Sequence, residues 1–139
     1  MENALARADY HYRSYGQRAR ELSESGTGVL GYLCALVPLE LIHAAGLIPL
    51  RIKGFPEDPV TEADAQMETI ICSVVRAWYD GMRKGRFDFI RGLVIPHACD
   101  SMVRTYDIWA NTLELPFVHF IDIPHAATGS APAFFKAVL

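Results

Sequence analysis

Cysteine is scarce in this chain, three in 139 residues, and none forms a C-x-x-C pair. The count is odd, and the usual spacing of a structural zinc site is missing. The first 25 residues, MENALARADYHYRSYGQRARELSES, lack the apolar segment of a secretory leader. The expected setting is therefore the cytoplasm, where thiols stay reduced and disulfides are the weaker explanation. Positive charge is also sparse. The 13 Lys and Arg are dispersed against 16 Asp and Glu, with one small cluster at Arg83, Lys84 and Arg86. Nucleic-acid binding, which needs a basic stripe, is not expected. There is no internal repeat and no low-complexity segment. Neither 26-Gly-Thr-Gly-28 nor 128-Thr-Gly-Ser-130 matches a phosphate loop, and no Ser-His-Asp arrangement stands out.

One apolar run, residues 28–50 (GVLGYLCALVPLELIHAAGLIPL), has the length of a bilayer span. It also contains Pro38, Glu40, His43 and Pro49, and charge inside a membrane is costly. It reads instead as strand, turn, helix and strand, so no membrane association is expected.

Apolar residues make up 51% of the chain and charged residues 21%, enough for the core of a single domain. Residues 5–25 read as a polar helix with a loose stripe of Tyr10, Tyr12, Tyr15 and Leu22. Residues 28–33 read as a first strand. Pro38 opens a helix, with Glu40 in its first turn, where the dipole favours a carboxylate. A second strand follows at 47–52, and Pro49 suits it to an edge. Residues 53–60 form a loop. Thr61 with Asp64 resembles a capping arrangement for a helical segment containing Met67, Ile70 and Ile71. Residues 73–84 carry Val74, Val75, Trp78, Tyr79 and Met82 at helical spacing, closed by Gly85. The third strand, Leu93-Val94-Ile95, stops at Pro96. Asp100 opens the clearest amphipathic helix, with Met102, Val103, Tyr106, Trp109 and Leu113. Residues 117–121 form a fourth strand and 132–139 a further apolar helix. This alternation of continuous apolar strands with helices predicts an α/β fold, a four-stranded parallel sheet covered on both faces.

In such a sheet, ligands bind beyond the carboxyl ends of the strands. Cys34 follows the first strand and Cys99 the third, each ahead of a helix, so both should emerge on the same rim. Cys72 lies just ahead of the run at Ser73 and can reach that rim too. A free cysteine is often only a small buried hydrophobe, but equivalent placement of two argues for a shared site. Three thiolates could hold zinc, with His97 or His125 as a fourth ligand. Alternatively they could hold an iron–sulfur cluster with one iron left open. Helix N-termini nearby would stabilise an anionic cluster. Asp122 and His125 follow the fourth strand and are candidates for substrate contact. Glu40 and His43, three apart on one helix, read as a solvated face, and His119 inside a strand as a satisfied core histidine.

The segments GYLCALVPLELIHAAGLIPLRI (31–52), CSVVRAWYDG (72–81), LVIPHACDSMVRTYDIW (93–109) and FIDIPH (120–125), in this order, resemble the 2-hydroxyacyl-CoA dehydratase and benzoyl-CoA reductase family. The similarity is to its D-component-type subunits and runs from about residue 28 onward. It implies a Rossmann-like α/β domain and a heterodimer with a related second subunit. It implies an oxygen-sensitive [4Fe–4S] cluster held by three cysteines, which by position are Cys34, Cys72 and Cys99. Water or a thioester oxygen would complete the fourth iron. It further implies a separate ATP-dependent iron–sulfur activator that delivers one electron at low potential. In the dehydratases that electron makes a ketyl radical from an (R)-2-hydroxyacyl-CoA, which then loses water. In the reductases related chemistry dearomatises benzoyl-CoA. Weaker candidates for catalysis are Glu40, His97 and His125. Family subunits are longer, with a second α/β domain. The expected division is therefore a polar helix over 1–26, the cluster-binding domain over 27–125 and the start of a further helix over 126–139. By this reading the chain is an N-terminal part that is inactive alone. A non-catalytic assembly domain or a zinc-bound structural domain are the readings from other classes.

Overall fold

A computed structural model describes residues 3–55 and 57–139. Its centre is a parallel sheet of β1 (Val29–Tyr32), β2 (Ile48–Arg51), β3 (Leu93–Pro96) and β4 (Val118–Ile121), in the spatial order β2-β1-β3-β4. The expected α/β class and strand number are both found. Pro49 lies in β2, which is an edge strand, as its missing N–H requires. After β2 the chain crosses over β1 to reach β3. The connections leaving β1 and β3 therefore run in opposite directions and open a crevice at their carboxyl ends.

The strands alternate with period two between two cores. Val29, Leu93 and Ile95 face a large cluster, together with Leu33 and Ile52 just past their strands. Helix α5 (Ser73–Arg83) supplies Val75, Trp78, Tyr79 and Met82 to that cluster, and α6 (Asp100–Thr112) supplies Met102 and Trp109. Leu30 and Val94 face a smaller cluster with Ile42 of α3 (Leu39–Ala44) and Phe135 of α7 (Ala131–Val138). Gly31 lets Ile90 close over β1; a Cβ there would lie 2.8 Å from the Ile90 Cδ1. The run at 28–50 resolves into strand, helix and strand. Among the described residues no helix is long and apolar enough to cross a membrane.

Three local expectations are corrected. The polar N-terminal helix is two helices, α1 (Ala4–Arg13) and α2 (Gln17–Glu24), broken where Gly16 adopts a φ of 85°. The break lets Tyr15 donate from its hydroxyl to the Arg51 carbonyl at 2.6 Å, and Ala19 then joins the large core. Thr61 precedes α4 (Glu62–Gln66) but makes no side-chain cap. The cap comes instead from Asp80 of α5, which accepts from the Thr61, Glu62 and Ala63 backbone N–H groups at 2.8, 3.1 and 2.8 Å. His119 is exposed rather than a core histidine. Val118 and Phe120 on either side of it pack toward the large core, so alternation turns His119 to the other face at the sheet edge. Pro56, one of the two prolines of the 53–60 loop, lies outside the described residues.

Candidate functional site

The crevice at the carboxyl ends of β1 and β3 is where the cysteines gather. Cys34 lies two residues beyond β1 and takes a left-handed φ of 57°, the only non-glycine among the described residues to do so. That conformation costs about 1–2 kcal/mol for a side-chain-bearing residue, and such strain tends to collect at working sites. Cys99 is the N-cap of α6 and Cys72 the N-cap of α5. Neither helix receives a side-chain hydrogen bond at its cap. Two helix N-termini, each with unsatisfied N–H groups and a positive dipole end, are thus flanked by thiols rather than by capping oxygens. That setting favours a bound anionic group.

The three thiols share one electrostatic neighbourhood. Burial pushes the Cys34 thiol pKa up, and Cys99 and Cys72 push it the same way, while Arg51 pulls it down. Arg51 was not singled out from sequence. It ends β2 directly beside Tyr32, two residues before Cys34, and so places a cation next to the thiols. All three cysteines are free, Cys34 half-buried and the other two exposed.

A single metal ion requires donors converging to about 2.0–2.3 Å of one point. Among the described residues no three His, Cys, Asp or Glu side chains form such a group. A polyatomic cluster is larger and holds its thiolates further apart. Three thiols, two of them at helix N-termini, are a donor set of the kind an anionic iron–sulfur cluster takes.

A second group lies on the same rim, at the ends of β3 and β4. Pro96 and Ile121 are in register, and the His97 N–H donates to the Ile121 carbonyl at 2.8 Å. This sets His97 beside Asp122, and the His97 Nδ1 lies 2.7 Å from the Asp122 Oδ1. The His97 ring rests near Phe120 at 5.8 Å and meets the His125 ring edge-on at 5.0 Å. Phe120 in turn packs on Tyr106 of α6 at 5.3 Å, so the group belongs to the α6 face of the sheet. His97 and His125, both named from sequence, come together. Glu40 does not join them. It lies with His43 on α3, across the sheet from α6, and both are exposed, as a solvated face requires.

Residues 34–139 match the family described as 2-hydroxyglutaryl-CoA dehydratase, D-component. One subunit of the benzoyl-CoA reductase of Thauera aromatica is 32% identical over 97 residues, which is 69% of this chain and 25% of that protein. The beta subunit of lactoyl-CoA dehydratase from Anaerotignum propionicum is 26% identical over 90 residues, 65% of this chain and 24% of that protein. The beta subunit of (R)-2-hydroxyglutaryl-CoA dehydratase from Acidaminococcus fermentans is 25% identical over 77 residues, 55% of this chain and 20% of that protein. The chain thus spans a quarter or less of the length of these relatives. The family match takes in all three cysteines, both rim histidines and every strand but β1. On that match, and on the parallel sheet it runs through, this chain belongs to the 2-hydroxyglutaryl-CoA dehydratase D-component family.

Proposed function

We propose that this chain is the cluster-binding part of an iron–sulfur subunit of a 2-hydroxyacyl-CoA dehydratase, with Cys34, Cys72 and Cys99 as the ligands of a [4Fe–4S] cluster. The observation that carries the reading is the pair of helices that open at a cysteine at the sheet's crevice, with the strained Cys34 two residues beyond β1. Such a cluster supplies one-electron chemistry and, with three protein ligands, leaves one iron open. The protein's own part is positional. The backbone N–H groups at the starts of α5 and α6 offset the negative charge of the site. Arg51 adds a cation at the end of β2. The half-buried Cys34 anchors the inner side of the site, while the exposed Cys72 and Cys99 leave its outer side open.

The relatives are named as subunits, which supports assembly with a related second subunit. An ATP-dependent iron–sulfur activator and an acyl-CoA substrate complete the proposed system. A benzoyl-CoA reductase subunit is the second reading, favoured by the 32% identity to the Thauera aromatica protein.

Anaerobic reconstitution with iron and sulfide tests the ligand assignment. The parent should take up about four of each per chain and gain the broad visible absorption and, once reduced, the EPR signal of a cubane cluster. Equal uptake and the same spectra in the protein with Cys34, Cys72 and Cys99 all changed to Ala would overturn it. The two activities separate in the assembled, activated enzyme, by loss of water from a 2-hydroxyacyl-CoA against reduction of benzoyl-CoA.

A further inference from the structure

We infer that Arg51 sets the reduction potential at the thiol crevice: its fixed positive charge makes the cluster assigned to Cys34, Cys72 and Cys99 easier to reduce. The cluster itself rests on the function proposed above.

The backbone holds Arg51 in place from two sides. It ends β2 and is the register partner of Tyr32, which ends β1. The next residue, Ile52, donates its N–H to the Tyr32 carbonyl at 2.9 Å, so the ladder is still closed at this level. On the outer edge the Tyr15 hydroxyl donates to the Arg51 carbonyl at 2.6 Å. Neighbouring strands lie about 4.8 Å apart, and Cys34 follows Tyr32 by two residues. The helices α1 and α2, which carry Tyr15 between them, thereby brace the strand end that bears the cation.

The head group itself is free to act. Among the described residues no carboxylate pairs with the Arg51 guanidinium, and only the Arg51 carbonyl is engaged from a side chain. Arg20, Arg76 and Arg86, by contrast, are each taken by an aspartate. The charge is felt on both sides of the strand end. It pulls the Tyr15 hydroxyl pKa down against burial. It does the same to the Cys34 thiol, where the other influences, burial, Cys99 and Cys72, all push upward. Among the described residues Arg51 is thus the one cation acting on the innermost thiol, and a guanidinium keeps its charge at every working pH.

A fixed cation favours whichever state of its neighbour is the more negative. One electron entering the cluster adds one negative charge and breaks no bond. The reduced state therefore gains more from Arg51 than the oxidised state does, and the potential rises. Net charge and solvent exposure are among the factors that set iron–sulfur potentials. The starts of α5 and α6 act in the same sense, but through backbone dipoles that a side-chain substitution leaves in place. Arg51 is exposed, so salt should screen its effect.

The test reconstitutes the chain anaerobically with iron and sulfide and titrates it with titanium(III) citrate, which gives up one electron to become titanium(IV). The EPR signal of the reduced cluster reports the midpoint potential. Arg51→Gln and Arg51→Met remove the charge, Arg51→Lys keeps it, and Arg91→Gln removes an equal charge at the opposite end of the sheet. Both neutral variants at 51 should lower the potential by at least about threefold in the one-electron equilibrium, or about 28 mV at 59 mV per tenfold. Arg51→Lys and Arg91→Gln should stay within about half that shift, and raising the salt should narrow the gap between Arg51→Gln and the parent. A merely structural arginine would change stability or iron uptake and leave the potential of the assembled cluster where it was. Parental potentials in the neutral variants overturn the inference, as does a Lys variant that behaves like Gln or an equal shift in Arg91→Gln. Loss of the cluster from all three variants at 51 makes the residue structural and overturns it too. A parent that takes up no cluster overturns the function proposed above and this inference with it, whereas an assembled cluster with an unmoved potential overturns only the role of Arg51.

Discussion

Replacing Asp80 with Asn should weaken the fold by about 2–3 kcal/mol near neutral pH, a figure that combines a lost charge with a damaged helix cap. Asp80 is 2% exposed, and burial alone would raise its pKa. Hydrogen bonds from the Ala63 N–H, the Lys84 ammonium, and the Thr61 and Glu62 N–H groups outweigh that and hold it at about 2, against 3.8 for a free side chain. At 1.36 kcal/mol per unit, that difference corresponds to about 2.4 kcal/mol of stability at neutral pH. Asn keeps one carbonyl oxygen, but it sets an NH2 against one of the three backbone donors and gives up the 2.9 Å ion pair to Lys84.

The sign follows from a folded pKa below the unfolded one. The carboxylate's contribution is complete above about pH 5 and is lost as the pH falls through 3.8 toward 2. Urea unfolding of the parent and Asp80→Asn, followed by circular dichroism, should thus show a constant gap between pH 7 and 5, falling to roughly half by pH 3. A gap below about 0.5 kcal/mol at neutral pH, or one unchanged at pH 3, would refute the reasoning. The consequence reaches the site, because Asp80 ties α4 to the helix that begins at Cys72.

Cys34→Gly should be more stable than Cys34→Ala by about 1 kcal/mol in chemical denaturation, since only glycine adopts the positive φ there without strain, while neither variant should assemble the parent's cluster. Gly54→Ala would place a Cβ 2.6 Å from the Ala77 Cβ and force α5 outward; a cost of about 1–3 kcal/mol should appear as a lowered Tm. Tyr79→Phe removes the hydroxyl that donates to the Thr112 Oγ1 at 2.9 Å, between α5 and α6, and should cost about 1 kcal/mol in the same denaturation assay.

What could be read from the sequence was whatever repeats locally. Continuous apolar strands alternating with helical runs gave the sheet, Pro49 gave an edge, and thiols placed just ahead of helices gave the rim. What could not be read depended on distant partners. The cap of α4 is supplied from 17 residues further along, beyond any local capping pattern, and Thr61 only looks the part. Gly16 breaks the first helix, and the purpose of the break shows only in Tyr15 reaching the Arg51 carbonyl 36 residues away. His119 has the local pattern of a core residue, and only the strand order shows that β4 ends the sheet. The pairing of His97 with Asp122 was within reach, since both follow a strand by one residue, but it needed the knowledge that those two strands are neighbours.

Cysteine is a poor choice for the first position of a helix when only the helix matters; serine, aspartate or asparagine serves better there. At positions 72 and 99 the chain forgoes that benefit twice. Selection acting on folding alone would drift both positions toward the better capping residues. Under the ligand assignment proposed above, serine at both positions should strengthen the two helix starts and at the same time remove two of the three thiol donors.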